Sequence, residues 1–96
     1  MQTPPAELIR LHPDDTVAVC RRAVTAGERL RFEAGEVTAL EPVPQGHKIA
    51  LRAHRPGEQA IKYGHPIGVA TAAIAAGGYV HVHNLRTVRG RPRSDT

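Results

Sequence analysis

One local pattern recurs along this chain and limits what it can fold into: a small residue, a glycine, a glutamate or second glycine, any residue, then an apolar one. It occurs as Ala26-Gly27-Glu28-Arg29-Leu30, Pro56-Gly57-Glu58-Gln59-Ala60 and Ala76-Gly77-Gly78-Tyr79-Val80. Pro44-Gln45-Gly46-His47-Lys48-Ile49-Ala50-Leu51 is a related turn followed by an apolar run. Each reads as a tight turn that launches a strand, with glycine supplying the positive φ such turns need. The spacings are unequal, so the pattern is shared turn grammar and not a solenoid repeat. Glycine and proline cut the chain into short pieces, and no helical amphipathic pattern persists beyond about two turns. The expected strands are Val17–Cys20, Arg29–Phe32, Val37–Leu40, Lys48–Ala53, Gln59–Tyr63, Pro66–Ala70 and Tyr79–Leu85. Ala6–His12 reads as one short strand or a turn of helix, and Thr71–Ala76 as a single helical turn, too short to be stable alone. The expected fold is mostly β, a small domain with many turns and at most one or two short helical turns.

At 96 residues the chain is one domain or one small subunit. Phe32, Tyr63 and Tyr79 are its only large aromatics, so the core must be built from Ala, Val, Leu and Ile. Such a core is thin and gains from a partner surface. Arginine supplies nearly all the positive charge, and Lys48 and Lys62 are the only lysines. Against that background a lysine either marks a place where a compact ammonium matters or is there by chance. Arg86, Arg89, Arg91 and Arg93 make a basic end with no apolar periodicity and no aromatic interleaving. That favours a solvated arm, or one lying on a partner, over nucleic-acid or membrane binding. Cys20 is the only cysteine, so no internal disulfide can form, and its apolar run Val17-Ala18-Val19-Cys20 suits a buried small hydrophobe. No apolar run is long enough to span a membrane, and the start lacks the features of a signal peptide. A cytoplasmic location is the expectation.

Three polar clusters stand where a plain β domain would not need them. In Tyr79-Val80-His81-Val82-His83-Asn84-Leu85 valine and histidine alternate. On one strand His81 and His83 would share a face, about 6.5–7 Å apart, within reach of one metal ion or small anion. Two imidazoles suit several divalent ions but are too few for a closed structural zinc site. Gly46-His47-Lys48 places turn N–H groups beside a cation, as a carboxylate or phosphate requires, and is also how a polar hairpin end looks. In Lys62-Tyr63-Gly64-His65-Pro66 a phenol sits near an ammonium, the glycine permits close backbone approach, and the proline holds His65 extended. His12 and His54 are isolated and suit the surface. Nucleotide-binding glycine loops and a Gly-x-Ser-x-Gly elbow are absent.

Taken in order, Gly46-His47-Lys48-Ile49-Ala50-Leu51, Pro56-Gly57-Glu58, Lys62-Tyr63-Gly64, Ile67-Gly68-Val69-Ala70-Thr71 and Val80-His81-Val82-His83-Asn84-Leu85 resemble the N-terminal SAF-type domain of the altronate/galactarate dehydratase family. The module is also similar to the small subunit of (2R)-sulfolactate sulfo-lyase. The resemblance implies a β-clip domain over 14–86, after a lead-in at 1–13 and before a basic tail at 87–96. It implies a small lyase subunit, inactive without a large catalytic subunit, that eliminates water from a 2-hydroxy or sugar acid. Sulfite elimination and a non-enzymatic carbohydrate-binding or structural module are the alternatives. The implied cofactor is a divalent metal, Fe2+ first and Mn2+ or Mg2+ otherwise, needed because the enolate-like intermediate gathers negative charge. On this view His81 and His83 hold the metal, Lys48 and Lys62 hold the carboxylate or enolate, and Tyr63 or His47 relays a proton. Asn84 orients an imidazole or a substrate hydroxyl.

Overall fold

The computed structural model describes residues 7–87 and, among them, shows nine strands and no helix. β1 (Leu8–Ile9), β2 (Val17–Cys20), β5 (Lys48–Ala50) and β8 (Tyr79–Val80) form one antiparallel sheet in the order β1-β2-β5-β8. β3 (Arg29–Phe32) and β4 (Gly35–Thr38) make a hairpin, and β6 (Gln59–Lys62), β7 (His65–Ala70) and β9 (Leu85–Thr87) a three-stranded sheet. The four-stranded sheet separates two small cores. Ala18, Cys20 and Ile49 face one side with Leu30, Val37 and Val43, while Val17 and Ala50 face the other with Ala60, Ile74, Val80 and Leu85. Burying one Leu or Ile side chain in such a core contributes roughly 1.5–3 kcal/mol.

The recurring turns are the visible part of a deeper repeat. Residues 21–50 and 51–80 have the same backbone plan. Val24 exchanges backbone hydrogen bonds with Val43 (2.9 and 3.1 Å), and thirty residues on His54 exchanges them with Ile74 (2.8 and 2.9 Å). Glu28 and Glu58 explain the Gly-Glu pattern: each carboxylate reaches back to the N–H three residues earlier, Thr25 at 2.6 Å and Arg55 at 2.5 Å. The offset then grows by one. Phe32 opposes Gly35 as Lys62 opposes His65, but Arg29 opposes Thr38 as Gln59 opposes Val69. A bulge between Ala60 and Ile61 marks the extra residue that β7 carries, Ile67.

The mostly-β, turn-rich fold expected from the sequence is the fold observed, and most strands fall within a residue or two of expectation. Four local expectations fail. The stretch Tyr79–Leu85 is not one strand: β8 stops at Val80, residues 81–84 form a turn, and β9 begins at Leu85. Asn84 causes the break, its Oδ1 accepting from the His81 N–H (3.0 Å) and its Nδ2 donating to the Tyr79 carbonyl (2.8 Å). Thr71–Ala76 is not helical, because Ile74 is drawn into its bridge with His54. β5 ends at Ala50, short of Ala53. His54, expected at the surface, is 2% exposed. Leu8 and Ile9 pair with Cys20 and Val19, so the chain before residue 14 joins the sheet. Cys20 is fully buried, and desolvation pushes its thiol up to about 11, as a structural cysteine requires. Most of the basic tail lies outside the described residues, but Arg86 and Thr87 belong to β9. No helix among the described residues is long and apolar enough to cross a membrane.

Candidate functional site

The repeat shows which residues are additions to a common frame. Carried forward by the repeat, Val17, Ala18, Phe32 and Ala50 fall on His47, Lys48, Lys62 and His81, as strand register and shared turn bonds require, with β5 common to both units. Ala18 is fully buried and Phe32 packs against the first core. Their counterparts, Lys48 and Lys62, are half-buried and line one cavity of about 310 Å³. The other walls are Ile67, Val80, His81, Val82, Leu85 and Thr87. The second core is also built from smaller residues, Ala60 standing where Leu30 does and Gly68 where Val37 does. Leu85, from the strand β9 that has no counterpart in the first half, lies against Gly68. The bulge residue Ile67 completes an apolar wall.

Two lysines line this cavity, and among the described residues neither forms an ion pair. Burial, and then the charge of Lys62, lowers the pKa of Lys48. An anion with an apolar flank is the natural guest of such a place. A larger hollow of about 500 Å³ runs along β1, but its Arg10 is already held by Glu33 (Nε to Oε2, 2.6 Å).

Beside the cavity four rings gather. Nδ1 of His47 lies 2.5 Å from the Tyr79 hydroxyl. His81 stacks on Tyr79, with centroids 5.4 Å apart and planes 13° apart, and lies 4.9 Å from the His47 ring. His83 packs against Tyr79 from the exposed turn, at 5.6 Å. His81 and His83 therefore do not share a strand face; each meets Tyr79, and the imidazole His81 approaches is His47. Tyr79 is the residue that sequence reasoning leaves without a role, since nothing in Gly78-Tyr79-Val80 reveals that its ring ends among three histidines.

Other expected parts are placed differently. The N–H groups of Gly46 and His47, offered by the sequence to an anion, are taken by the carbonyls of Cys20 (2.8 Å) and Pro44 (3.1 Å). Tyr63 (φ 55°) and Gly64 (φ 80°) form a two-residue hairpin turn between Lys62 and His65, and the Gly64 N–H donates to Asp15 (2.8 Å). Burial alone would raise the pKa of Asp15, but the N–H groups of Gly64, Tyr63, His12 and Leu11 hold it below the usual carboxylate value. Gly64 thus serves the turn. Tyr63 and His65 are exposed outside the cavity, with the Lys62 ammonium 4.9 Å from the Tyr63 ring centroid. Asn84 is buried with both ends of its amide engaged by the turn it closes. Among the described residues no three His, Cys, Asp or Glu side chains converge as metal ligands. The described residues do not by themselves fit a divalent ion.

Comparison with known proteins supplies the context. The family model for the altronate/galactarate dehydratase SAF domain matches residues 6–88. Altronate dehydratase of Escherichia coli (strain K12) is 43% identical over 81 residues, which is 84% of this chain and 16% of that protein. Altronate dehydratase of Bacillus subtilis (strain 168) is 37% identical over 79 residues, 82% of this chain and 16% of that protein. The (2R)-sulfolactate sulfo-lyase subunit alpha of Paracoccus pantotrophus is 43% identical over 53 residues, 55% of this chain and 79% of that subunit. The chain thus spans about a sixth of the altronate dehydratases it matches and most of the sulfo-lyase subunit. The matched residues include the two cavity lysines and the ring cluster, and the chain belongs to the altronate/galactarate dehydratase SAF domain family.

Proposed function

We propose that this chain supplies the carboxylate-holding wall of a lyase that removes water from a sugar acid by β-elimination, and that a much larger chain of the dehydratase family completes the active site. The observation that carries this reading is the pair Lys48 and Lys62, set in one cavity where the first half of the molecule has Ala18 and Phe32. Loss of the proton α to a carboxylate leaves an enolate with two negative charges close together, and two ammonium groups in a partly desolvated pocket favour that state over the reactant. Half-buried His81 lines the same cavity, and His47 lies against it. They offer hydrogen-bond donors to the substrate hydroxyls or to the leaving group. His83 stands at the exposed edge, where a partner can cover it. Asn84 acts through the turn that presents the histidines, and Tyr63 meets the substrate only under a covering chain.

The divalent ion implied by the resemblance, Fe2+ or else Mn2+ or Mg2+, would supply Lewis-acid stabilisation of the same charge. Its ligands would come chiefly from the larger chain. Sulfite elimination is the second reading, favoured by the coverage of a sulfo-lyase subunit. It passes through the same kind of intermediate and needs the same lysines.

Co-expression with a large dehydratase-family chain from the same genome tests the proposal. The two chains should purify together and act on altronate, galactarate or sulfolactate. Lys48→Met and Lys62→Met should each keep assembly and lower kcat/KM about ten- to a hundredfold, as expected for a lost charge-assisted contact. Wild-type turnover in both variants, or no such partner, would remove the basis of the reading.

A further inference from the structure

Carried back by the repeat, Tyr79 falls on Lys48 of the shared strand β5, so its ring has no aromatic counterpart there. Its hydroxyl makes one bond to a side chain among the described residues, to Nδ1 of His47 at 2.5 Å. A phenol O–H is a stronger donor than a neutral imidazole N–H, and an imidazole nitrogen a stronger acceptor than a phenol oxygen, so the proton lies on oxygen and points at the imidazole nitrogen. That leaves His47 with its own proton on Nε2, across the ring from Tyr79. The tautomer matters, because a neutral imidazole can offer an anion a donor only from the nitrogen that carries the proton. Orientation is fixed as well. His81 lies nearly parallel to Tyr79 at 5.4 Å and 4.9 Å from His47, so each of the three rings limits the rotation of the others. His47 is half-buried at the end of a turn in which its own N–H and carbonyl are bonded to Pro44 and Cys20, and this ring contact is what orients its side chain.

We infer that Tyr79 is a positioning residue: it holds His47 as the Nε2–H tautomer and so presents a fixed hydrogen-bond donor beside the two-lysine cavity. The catalytic meaning of that donor rests on the lyase reading above, but the hydrogen bond itself does not. Nitrogen-15 spectra of the 96-residue chain alone, at a pH where its imidazoles are neutral, read the bond directly. The wild type should show a slowly exchanging Tyr79 hydroxyl proton coupled to His47 Nδ1, with the ring proton on Nε2. Tyr79→Phe should move the His47 nitrogens and leave those of His54 in place, which also shows that the variant is folded. In the assembled enzyme Tyr79→Phe should lower kcat about tenfold with KM changed less than about twofold. It should cost nothing further in a His47→Gln background, where the amide donates without help from Tyr79. A proton on Nδ1 of His47 would overturn the inference. So would unmoved His47 signals in Tyr79→Phe, or an equal kinetic loss in the His47→Gln background. Because the spectra need neither partner nor substrate, they succeed or fail independently of the lysine variants.

Discussion

His54 holds the place that the first half of the molecule gives to Val24, a buried bridge residue with no polar side chain. Its Nε2 meets the Thr16 hydroxyl at 2.8 Å, and its Nδ1 is buried with no hydrogen-bond partner among the described residues. An unsatisfied buried nitrogen costs about 1–3 kcal/mol. Burial also pushes the imidazole below its ordinary pKa, with the Arg52 backbone opposing. The folded chain therefore keeps His54 neutral while the unfolded chain takes up a proton near the usual histidine value of about 6.5. Stability is fully present above that pH and is lost as pH falls below it, since the unfolded state then binds more protons. Thermal melts from pH 8 to pH 5 should show the wild-type Tm falling. His54→Val should melt at least as high at pH 7 and lose less on acidification; parallel curves for the two proteins would refute the account. Carboxylates do not confuse this window. Glu28, drawn down to about 2 chiefly by Arg22 and then by the Thr25 N–H, yields its contribution only at lower pH. An isolated histidine between Ala53 and Arg55 reads as a surface residue, and only the repeat, placing it opposite Val24, shows otherwise.

At the scale of elements the turns decide the architecture, and they differ in how strictly they require glycine. Gly57 (φ 91°) and Gly77 (φ 91°) have the same backbone conformation. A Cβ added to Gly57 meets nothing within 4 Å, whereas one added to Gly77 lands on the Thr38 carbonyl oxygen and crowds Leu40. Gly57→Ala should cost only the left-handed strain of about 1–2 kcal/mol. Gly77→Ala should cost well beyond that, because the collision is with backbone and Gly77 itself links Ala50 and Leu40 through hydrogen bonds of 2.8 and 3.0 Å. Urea titrations compare the two, and equal losses would show that the packing at Gly77 is not what constrains it. These turns were legible because Gly-Glu and Gly-Gly before an apolar residue are local signals. The strands they launch were legible for the same reason. The reversal at 81–84 was not, since the Val-His alternation there matches a strand and the cause is one side chain, Asn84, bonding two backbone groups. The bridge from His54 to Ile74 joins residues far apart in sequence, so no local pattern could rule out a helical turn at Thr71–Ala76. In the candidate site Lys48, Lys62, His47 and His81 stood out as residue types foreign to a thin aliphatic core. That Tyr79 gathers three rings depends on the pairing of Ile49 with Tyr79 across β5 and β8.

The whole molecule reads as two versions of one unit that share a sheet, one completed by packing and the other left open. In the first, Leu30, Val37 and Phe32 fill the space over Ala18. In the second, Ala60, Gly68 and Lys62 occupy the corresponding strand positions, Lys48 replaces Ala18, and a cavity of about 310 Å³ remains. Stability is thereby given up in the half that carries the cations, which suits the proposal that a larger chain covers this surface. The argument predicts what restoring the symmetry would do. Lys62→Phe copies Phe32 into the second unit, where Ile67, Val80 and Leu85 already provide apolar walls. Burying the new ring should add about 1–2 kcal/mol, less than full burial because the site is open, and each kcal/mol corresponds to roughly 4–8 °C in a domain of this size. Burial, the larger cause of the lowered Lys48 pKa, would remain, while the repulsion from Lys62 would be removed. Thermal melts should therefore show a higher Tm for Lys62→Phe, while co-purification with a large chain persists and turnover of the 2-hydroxy acid disappears. A lower Tm would mean that the second unit is not an open version of the first, and retained turnover would mean that the cavity between the lysines is not where the carboxylate sits.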